Sequence, residues 1–215
     1  MKKLVGKLIL WMMGWKKSGE FPDFKKYVII AGPHTSNWDG LLMLSFAAVY
    51  DLPIKWMVKD SLIKGPMGWF LKMMGAVPIN RRSSHNVVEQ MAKRFEDTDS
   101  LFLAVPPEGT RGYRDYWKSG FYFIAKEANV PIVMSFLDYS KKEGGVGGYL
   151  IPSDDLKADM DKLRAFYGTK QGLYPKKVSR IRLRAEDELE AETQTSKEAQ
   201  APESKDEARQ LENAA

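Results

Sequence analysis

Short apolar runs alternate with amphipathic segments along most of the chain, and this pattern predicts strands followed by helices. The apolar runs are bounded by glycine, proline or polar residues, as buried strands usually are. They cover residues 27–31, 53–58, 75–82, 101–105 and 130–137. Apolar residues at helical spacing predict helices within residues 40–50, 62–74, 86–95 and 119–128. The alternation favours a single α/β domain with a largely parallel or mixed β-sheet flanked by helices.

Residues 62–74 are unusually rich in Met, Leu, Trp and Phe, with lysines only at positions 64 and 72. They fit either a helix packed in the core or the wall of a groove for an acyl chain. We favour the core helix, because large apolar residues are most often buried.

The pattern becomes less regular after residue 140. The glycines within residues 144–148 indicate a turn, residues 149–152 a short strand, and Ser153 is suited to cap a helix that ends near Tyr167. Strict alternation over residues 178–183 predicts a last strand at the edge of the sheet.

Two flanking segments differ from the predicted domain of residues 26–185. Residues 186–215 are acidic and contain no aromatic residue, which predicts a disordered tail. Residues 1–25 form an amphipathic segment in which apolar residues recur at helical spacing between lysines. A helix over residues 3–16 of this segment would be about 21 Å long and therefore shorter than the roughly 30 Å of a bilayer core. It fits an interfacial helix that associates with the membrane surface, and equally a first helix that packs on the core.

Charge separates the tail from the remainder of the chain. The tail carries ten acidic and three basic residues, a net charge of −7, so that residues 1–185 carry +12 of the total of +5. A basic body suits an anionic partner such as a membrane surface, a phosphate ligand or nucleic acid. No recognised nucleic-acid motif is present. The absence of cysteine excludes disulfides and thiolate metal sites.

Candidate chemistry lies where two predicted strands end. His34 and Asp39 follow the first strand, and Glu108, Gly109, Thr110 and Arg111 follow the strand of residues 101–105. A carboxylate beside an imidazole can fix its tautomer while the other ring nitrogen takes a proton. A guanidinium can bind a phosphate through two hydrogen bonds. Each stretch also has a structural interpretation. His34 could be a residue at the N-terminus of a helix that hydrogen-bonds to backbone, and Glu108 and Arg111 could pair with each other in a surface loop. His85, the other histidine, is expected to face solvent.

These blocks, in this order, resemble the glycerolipid acyltransferases, and most of all the bacterial 1-acyl-glycerol-3-phosphate acyltransferases. The resemblance rests on His34-x4-Asp39, on Gly75 to Arg81, on Pro107-Glu-Gly-Thr-Arg111 and on Val130-Pro-Ile132, and covers roughly residues 26–140. It implies a glycerol-3-phosphate acyltransferase-like fold and acyl transfer from acyl-CoA or acyl carrier protein to the hydroxyl of a lysophospholipid.

The resemblance also implies roles for single residues. His34 is the expected general base and Asp39 its orienting partner. The expected acceptor-binding residues are Arg81, Glu108, Gly109, Thr110 and Arg111, with Lys59 as a further cation near the same strand ends. No cysteine and no serine in a nucleophile-elbow pattern is present, so we expect direct transfer without an acyl-enzyme, and we expect no metal or cofactor.

Three alternatives stay open at this point. The acceptor could be another lysolipid, or a lipid hydroxyl that lacks phosphate. The chain could also be a non-catalytic protein that binds membrane surfaces. The expected partners are the lysophospholipid, the acyl thioester, an acyl carrier protein as one possible donor and an anionic membrane, with no nucleic acid. The expected location is the cytoplasmic face of the membrane, peripheral or monotopic.

Overall fold

A computed structural model of the chain describes residues 1–79 and 84–199. Within these ranges the strands are β1 (Lys16–Ser18), β2 (Lys26–Gly32), β3 (Lys55–Lys59), β4 (Ala76–Ile79), β5 (Leu101–Val105), β6 (Ile132–Asp138) and β7 (Glu143–Leu150). The α-helices are α1 (Lys2–Met12), α2 (Trp38–Val49), α3 (Pro66–Met73), α4 (Ser84–Glu96), α5 (Gly120–Glu127), α6 (Leu156–Tyr167) and α7 (Arg184–Ala199). Two 3₁₀ turns cover Asp60–Ile63 and Pro175–Lys177.

The strands form one mixed sheet in the order β1-β7-β6-β2-β5-β3-β4. All neighbouring pairs are parallel except β6 with β7. The α/β class and the flanking helices predicted from the sequence are therefore confirmed. Because β2, β5, β3 and β4 are parallel neighbours, their carboxyl ends lie at one edge of the sheet, where parallel α/β sheets usually bind ligands.

Helices cover the centre of the sheet, and the side chains buried there are apolar. Val28 and Ile30 of β2 are wholly buried, as are Leu103 of β5 and both Ile132 and Val133 of β6. The near-continuous apolar runs in the sequence reflect this burial, since a strand of a parallel sheet is covered on both faces. A rigid centre of this kind holds the loops at the strand ends in place.

The N-terminal segment is part of this unit rather than an appendage to it. Residues 1–183 form one compact unit. Helix α1 packs against α2, where Gly6 lies so close to Ser45 and Ala48 that a side chain would not fit. Strand β1, absent from the sequence prediction, pairs with β7 at the edge of the sheet. No described helix is both long and apolar enough to cross a membrane.

The predicted disorder of residues 186–215 is wrong for the part that the structure describes. Residues 184–215 are a second unit, and their described part is helix α7 up to Ala199. Glutamate and alanine are the commonest residues of this helix, and both have high intrinsic helix propensity. Low apolar content therefore did not prevent a helix here, because helix propensity acts along the chain without a packed core. Residues 200–215 lie outside the described residues.

The predicted turn at residues 144–148 is also wrong, because it is part of β7. A glycine tolerates close approach by another group, and Gly147 packs directly on the ring of Phe166. Residues 178–183 do not form the predicted edge strand. They form hydrogen bonds instead with residues 114–117, which follow Arg111. Arg180 N–H donates to Arg114 O, and Trp117 N–H donates to Arg182 O.

Two smaller predictions need correction. Asp155, not Ser153, caps α6, and its carboxylate accepts a hydrogen bond from Ala158 N–H at 2.9 Å. The favoured core helix at residues 62–74 is two elements, a 3₁₀ turn and α3, separated at Gly65 with φ of 85°. Most of their large apolar side chains are exposed rather than buried.

Candidate active site

The turn between β2 and α2 brings His34 and Asp39 together. Strand β2 ends at Gly32 and α2 begins at Trp38, with Asp39 in its first turn. Asp39 Oδ2 accepts hydrogen bonds from the backbone N–H groups of Thr35 at 2.7 Å and Ser36 at 2.8 Å. These bonds fold the intervening residues over the carboxylate. His34 and Asp39 can therefore touch, although residues five apart on a regular helix do not face each other.

The imidazole of His34 contacts the same carboxylate oxygen, with 3.2 Å between Nδ1 and Oδ2. The Asp39 side chain is 5% exposed and that of His34 22% exposed. An ionised carboxylate only accepts hydrogen bonds, so the proton of the neutral imidazole lies on Nδ1. Nε2 then carries the free lone pair and is the atom able to take a proton.

Asp39 is held in its ionised form by its donors. Burial raises the pKa of this carboxyl, but the hydrogen bonds it accepts outweigh burial and leave the pKa below its usual range. One of these donors is the hydroxyl of Tyr139, 2.6 Å from Oδ1. The negative charge therefore persists at neutral pH, where it stabilises an imidazolium formed on His34.

Glu108 lies beneath the same turn and is 2% exposed. Its Oε1 accepts a hydrogen bond from His34 N–H at 3.0 Å, while Oε2 is buried with no hydrogen-bond partner among the described residues. Burial raises the pKa of Glu108 to about 7. Glu108 thus holds the backbone of His34, a contact that the sequence did not suggest. Its expected role in acceptor binding stays a prediction.

The loop after Glu108 presents the other predicted residues. Gly109 has φ of 63° and lies against the side chain of Lys118. Thr110 is half-buried, and Arg111 is exposed. The tight turn at Gly109 carries the chain from the buried carboxylate to the exposed guanidinium within three residues. A cation is therefore available to an anionic ligand at the edge of the sheet where His34 lies.

The remaining predicted cations are placed only in part. Lys59 is exposed and ends β3, where it pairs in register with Ile79 at the end of β4. Arg81 follows β4 by two positions but lies outside the described residues. Val130 and Ile132, from the last block of the resemblance, are both buried.

Tyr139 and Trp15 belong to the site but were not predicted from the sequence. Tyr139 directly follows the end of β6, which neighbours β2, so the strand-end criterion that selected His34 would have found it. The ring of Trp15 packs edge-on against Tyr139 with 4.8 Å between centroids. No local signal marks this contact, because Trp15 reaches the site only through the packing of the N-terminal segment.

Comparisons with known proteins agree with these observations. The sequence profile of the protein family described as Acyltransferase matches residues 16–135, more than half of the chain. The 1-acyl-sn-glycerol-3-phosphate acyltransferase of Streptococcus pneumoniae is 28% identical over 131 residues, which are 59% of this chain. They are 48% of that protein, so the chain matches about half the length of this curated relative.

A solved structure has the same fold. The crystal structure of the 1-acyl-sn-glycerophosphate acyltransferase PlsC from Thermotoga maritima superposes with a TM-score of 0.52. The match covers 77% of this chain and 74% of that one, at 15% sequence identity. At this identity the likeness concerns the fold alone.

Proposed function

The chain belongs to the Acyltransferase family, and from this premise we propose that it transfers a fatty acyl chain from an acyl thioester to the hydroxyl of a lysophospholipid. The acceptor we propose is 1-acyl-glycerol-3-phosphate, which gives phosphatidic acid. The donor is acyl-CoA or acyl carrier protein, and no further cofactor takes part. The contact of His34 Nδ1 with a buried, ionised Asp39 is the observation that carries the proposal.

The chemistry we propose is direct transfer with His34 as general base. The acceptor oxygen attacks the thioester carbonyl carbon while Nε2 of His34 takes the hydroxyl proton. The new C–O bond forms, the C–S bond breaks, and the departing thiolate takes up a proton from the imidazolium. Asp39 stabilises the imidazolium in between, and proton transfer of this kind accelerates a reaction about 10²–10⁴-fold.

Acceptor binding is assigned to the cations at the same edge of the sheet. The exposed Arg111 side chain is suited to a phosphate, because a guanidinium forms two parallel hydrogen bonds with it. Lys59 and Arg81 supply further positive charge, and Gly109 and Thr110 shape the loop. Glu108 supports the site through the backbone of His34.

We also propose that α1 lies at the surface of the membrane from which the acceptor comes, on its cytoplasmic side. Its residue Leu10 is buried, whereas Leu4, Leu8 and Trp11 are 73%, 52% and 77% exposed. The buried face supports packing of α1 on the core, and the exposed face supports the proposed contact with a membrane. Its lysines suit an anionic surface.

A thioester-release assay with lysophosphatidic acid and long-chain acyl-CoA tests the function. Release of CoA with formation of phosphatidic acid is the expected result, and His34→Ala should lower kcat about 10²–10⁴-fold with an unchanged circular-dichroism spectrum. Asn37→Ala, at an exposed position in the same turn, serves as control. Full activity of His34→Ala would contradict the mechanism. No transfer to any lysolipid, from either donor, would contradict the function.

A further inference from the structure

Helix α3 and the 3₁₀ turn before it expose a cluster of large apolar side chains, which we call the α3 surface. Its members are Leu62, Met67, Trp69, Phe70 and Met73, between 46% and 70% exposed. Soluble domains rarely expose contiguous large apolar residues unless that surface binds something. The cluster needs an occupant, because nothing else in residues 1–79 and 84–183 covers it.

The exposure follows from how α3 is seated. Gly68 faces the 3₁₀ turn and touches the carbonyl group of Ile63, so that a side chain would not fit there. At 100° per residue, Met67, Trp69, Phe70 and Met73 lie on the arc away from Gly68. The helix thus packs through its glycine and presents its largest side chains to the outside, the reverse of an ordinary core helix.

The α3 surface begins at the edge of the sheet that carries the site. The 3₁₀ turn starts at Asp60, directly after the carboxyl end of β3. Strand β3 is parallel to β5, which is parallel to β2. His34 and Glu108 follow the carboxyl ends of β2 and β5. An occupant of the α3 surface would therefore adjoin the edge where the acceptor is processed.

Charge identifies the kind of occupant. Lys59, Lys64 and Lys72 are exposed in and beside the segment, and Asp60 is the one acidic residue among residues 59–74. Tryptophan with other large apolar residues beside lysines is the composition of helices that lie in the headgroup region of anionic bilayers. The lysine stems can follow apolar surface while the ammonium groups reach lipid phosphates.

We propose that the α3 surface is a second membrane-contact site, separate from α1, that docks this edge of the sheet on an anionic bilayer. The lipid acceptor would then pass from the bilayer to the site without crossing water. Docking is a binding property and can be measured without turnover, so that it stands or fails independently of the proposed reaction.

The absence of cysteine from the chain allows a direct test with single labels. Met67→Cys and Trp69→Cys, each labelled with an environment-sensitive nitrobenzoxadiazole dye, report whether α3 enters lipid. Ile151→Cys, also at an exposed apolar position (62%), is the matched control, and Met12→Cys reports on α1. The full chain is mixed with vesicles of phosphatidylcholine, with and without phosphatidylglycerol.

We expect a blue shift of the emission at positions 67 and 69 with the anionic vesicles and none at position 151. A blue shift at position 12 without one at 67 or 69 would overturn the proposal, as would a response to an acidic carrier protein but not to vesicles.

As a second measurement, Trp69→Glu should weaken vesicle binding at least about tenfold, because one large apolar side chain no longer enters lipid. Equal binding of Trp69→Glu and Ile151→Glu would contradict it.

Discussion

The hydroxyl of Tyr139 donates a hydrogen bond to Oδ1 of Asp39 at 2.6 Å, while the imidazole of His34 contacts the other oxygen, Oδ2. The two carboxylate oxygens are thus held from opposite sides. Tyr139 is fixed in turn by the edge-on contact with Trp15. These contacts hold the Asp39 carboxylate against the histidine, and we expect Tyr139 to act as a positioning residue.

Tyr139→Phe should therefore lower kcat with little change in KM. A hydrogen bond to a charged group contributes about 1.5–3 kcal/mol, so we expect a decrease of roughly tenfold or more. Steady-state kinetics on the folded protein measure this, with Tyr149→Phe at an exposed tyrosine as control. A kcat equal to that of the parent protein would mean that Tyr139 has only a structural role.

Glu108→Gln should change how stability depends on pH. Burial raises the pKa of Glu108 from 4.5 to about 7, so the folded state binds this proton more tightly than the unfolded state. The stability that this tighter proton binding contributes to the folded state is fully present below pH 4.5 and is lost as the pH rises through about 7. Glutamine cannot ionise, and between these pH values the difference in unfolding free energy should move about 3 kcal/mol in favour of the variant.

Urea unfolding of both proteins at several pH values tests this expectation. The slope of the difference with pH is the decisive quantity, because any fixed cost of the amide in the buried site cancels from it. Parallel stability curves from pH 4 to pH 8 would show that Glu108 titrates at an ordinary pKa.

Gly109→Ala should disturb the loop of residues 108–111, to which we assign acceptor binding. The left-handed backbone at Gly109 costs other residues about 1–2 kcal/mol, and the new methyl group would lie 2.7 Å from Cε of Lys118. We expect a lower melting temperature and a higher KM for the acceptor. Gly112→Ala is the matched control, because a methyl group there meets nothing within 4 Å. Equal effects of the two substitutions would argue against a constrained turn at Gly109.

Arg111→Ala should raise the KM for a phosphate-bearing acceptor while kcat stays similar. Loss of a charged hydrogen-bonded contact predicts a change of about tenfold or more. The KM for monoacylglycerol, which lacks the phosphate, should not change. Arg94→Ala, at an exposed arginine in the last turn of α4, controls for the loss of one positive charge. An unchanged KM for lysophosphatidic acid would place the acceptor elsewhere.

The α/β class and the candidate site at the strand ends were evident in the sequence because both follow local rules. The buried strand Leu101–Val105 was predicted with its observed bounds, since five consecutive apolar residues before Pro106 leave little choice. His34 was found because it lies just after such a strand, and Asp39 because it follows five residues later at the start of the next helix. Burial periodicity and turn residues are read from neighbours in sequence, and no tertiary contact is needed.

Only the tertiary structure decided what surrounds those residues. The contacts of Asp39 with Tyr139 and of His34 with Glu108 join positions 100 and 74 residues apart, and no local pattern encodes such distances. The exposure of α3 was likewise undetermined, because the same apolar spacing suits a core helix and an unpartnered surface. Sequence determines which segments carry apolar side chains, whereas packing determines which of these segments the fold covers and which polar groups lie beneath the site.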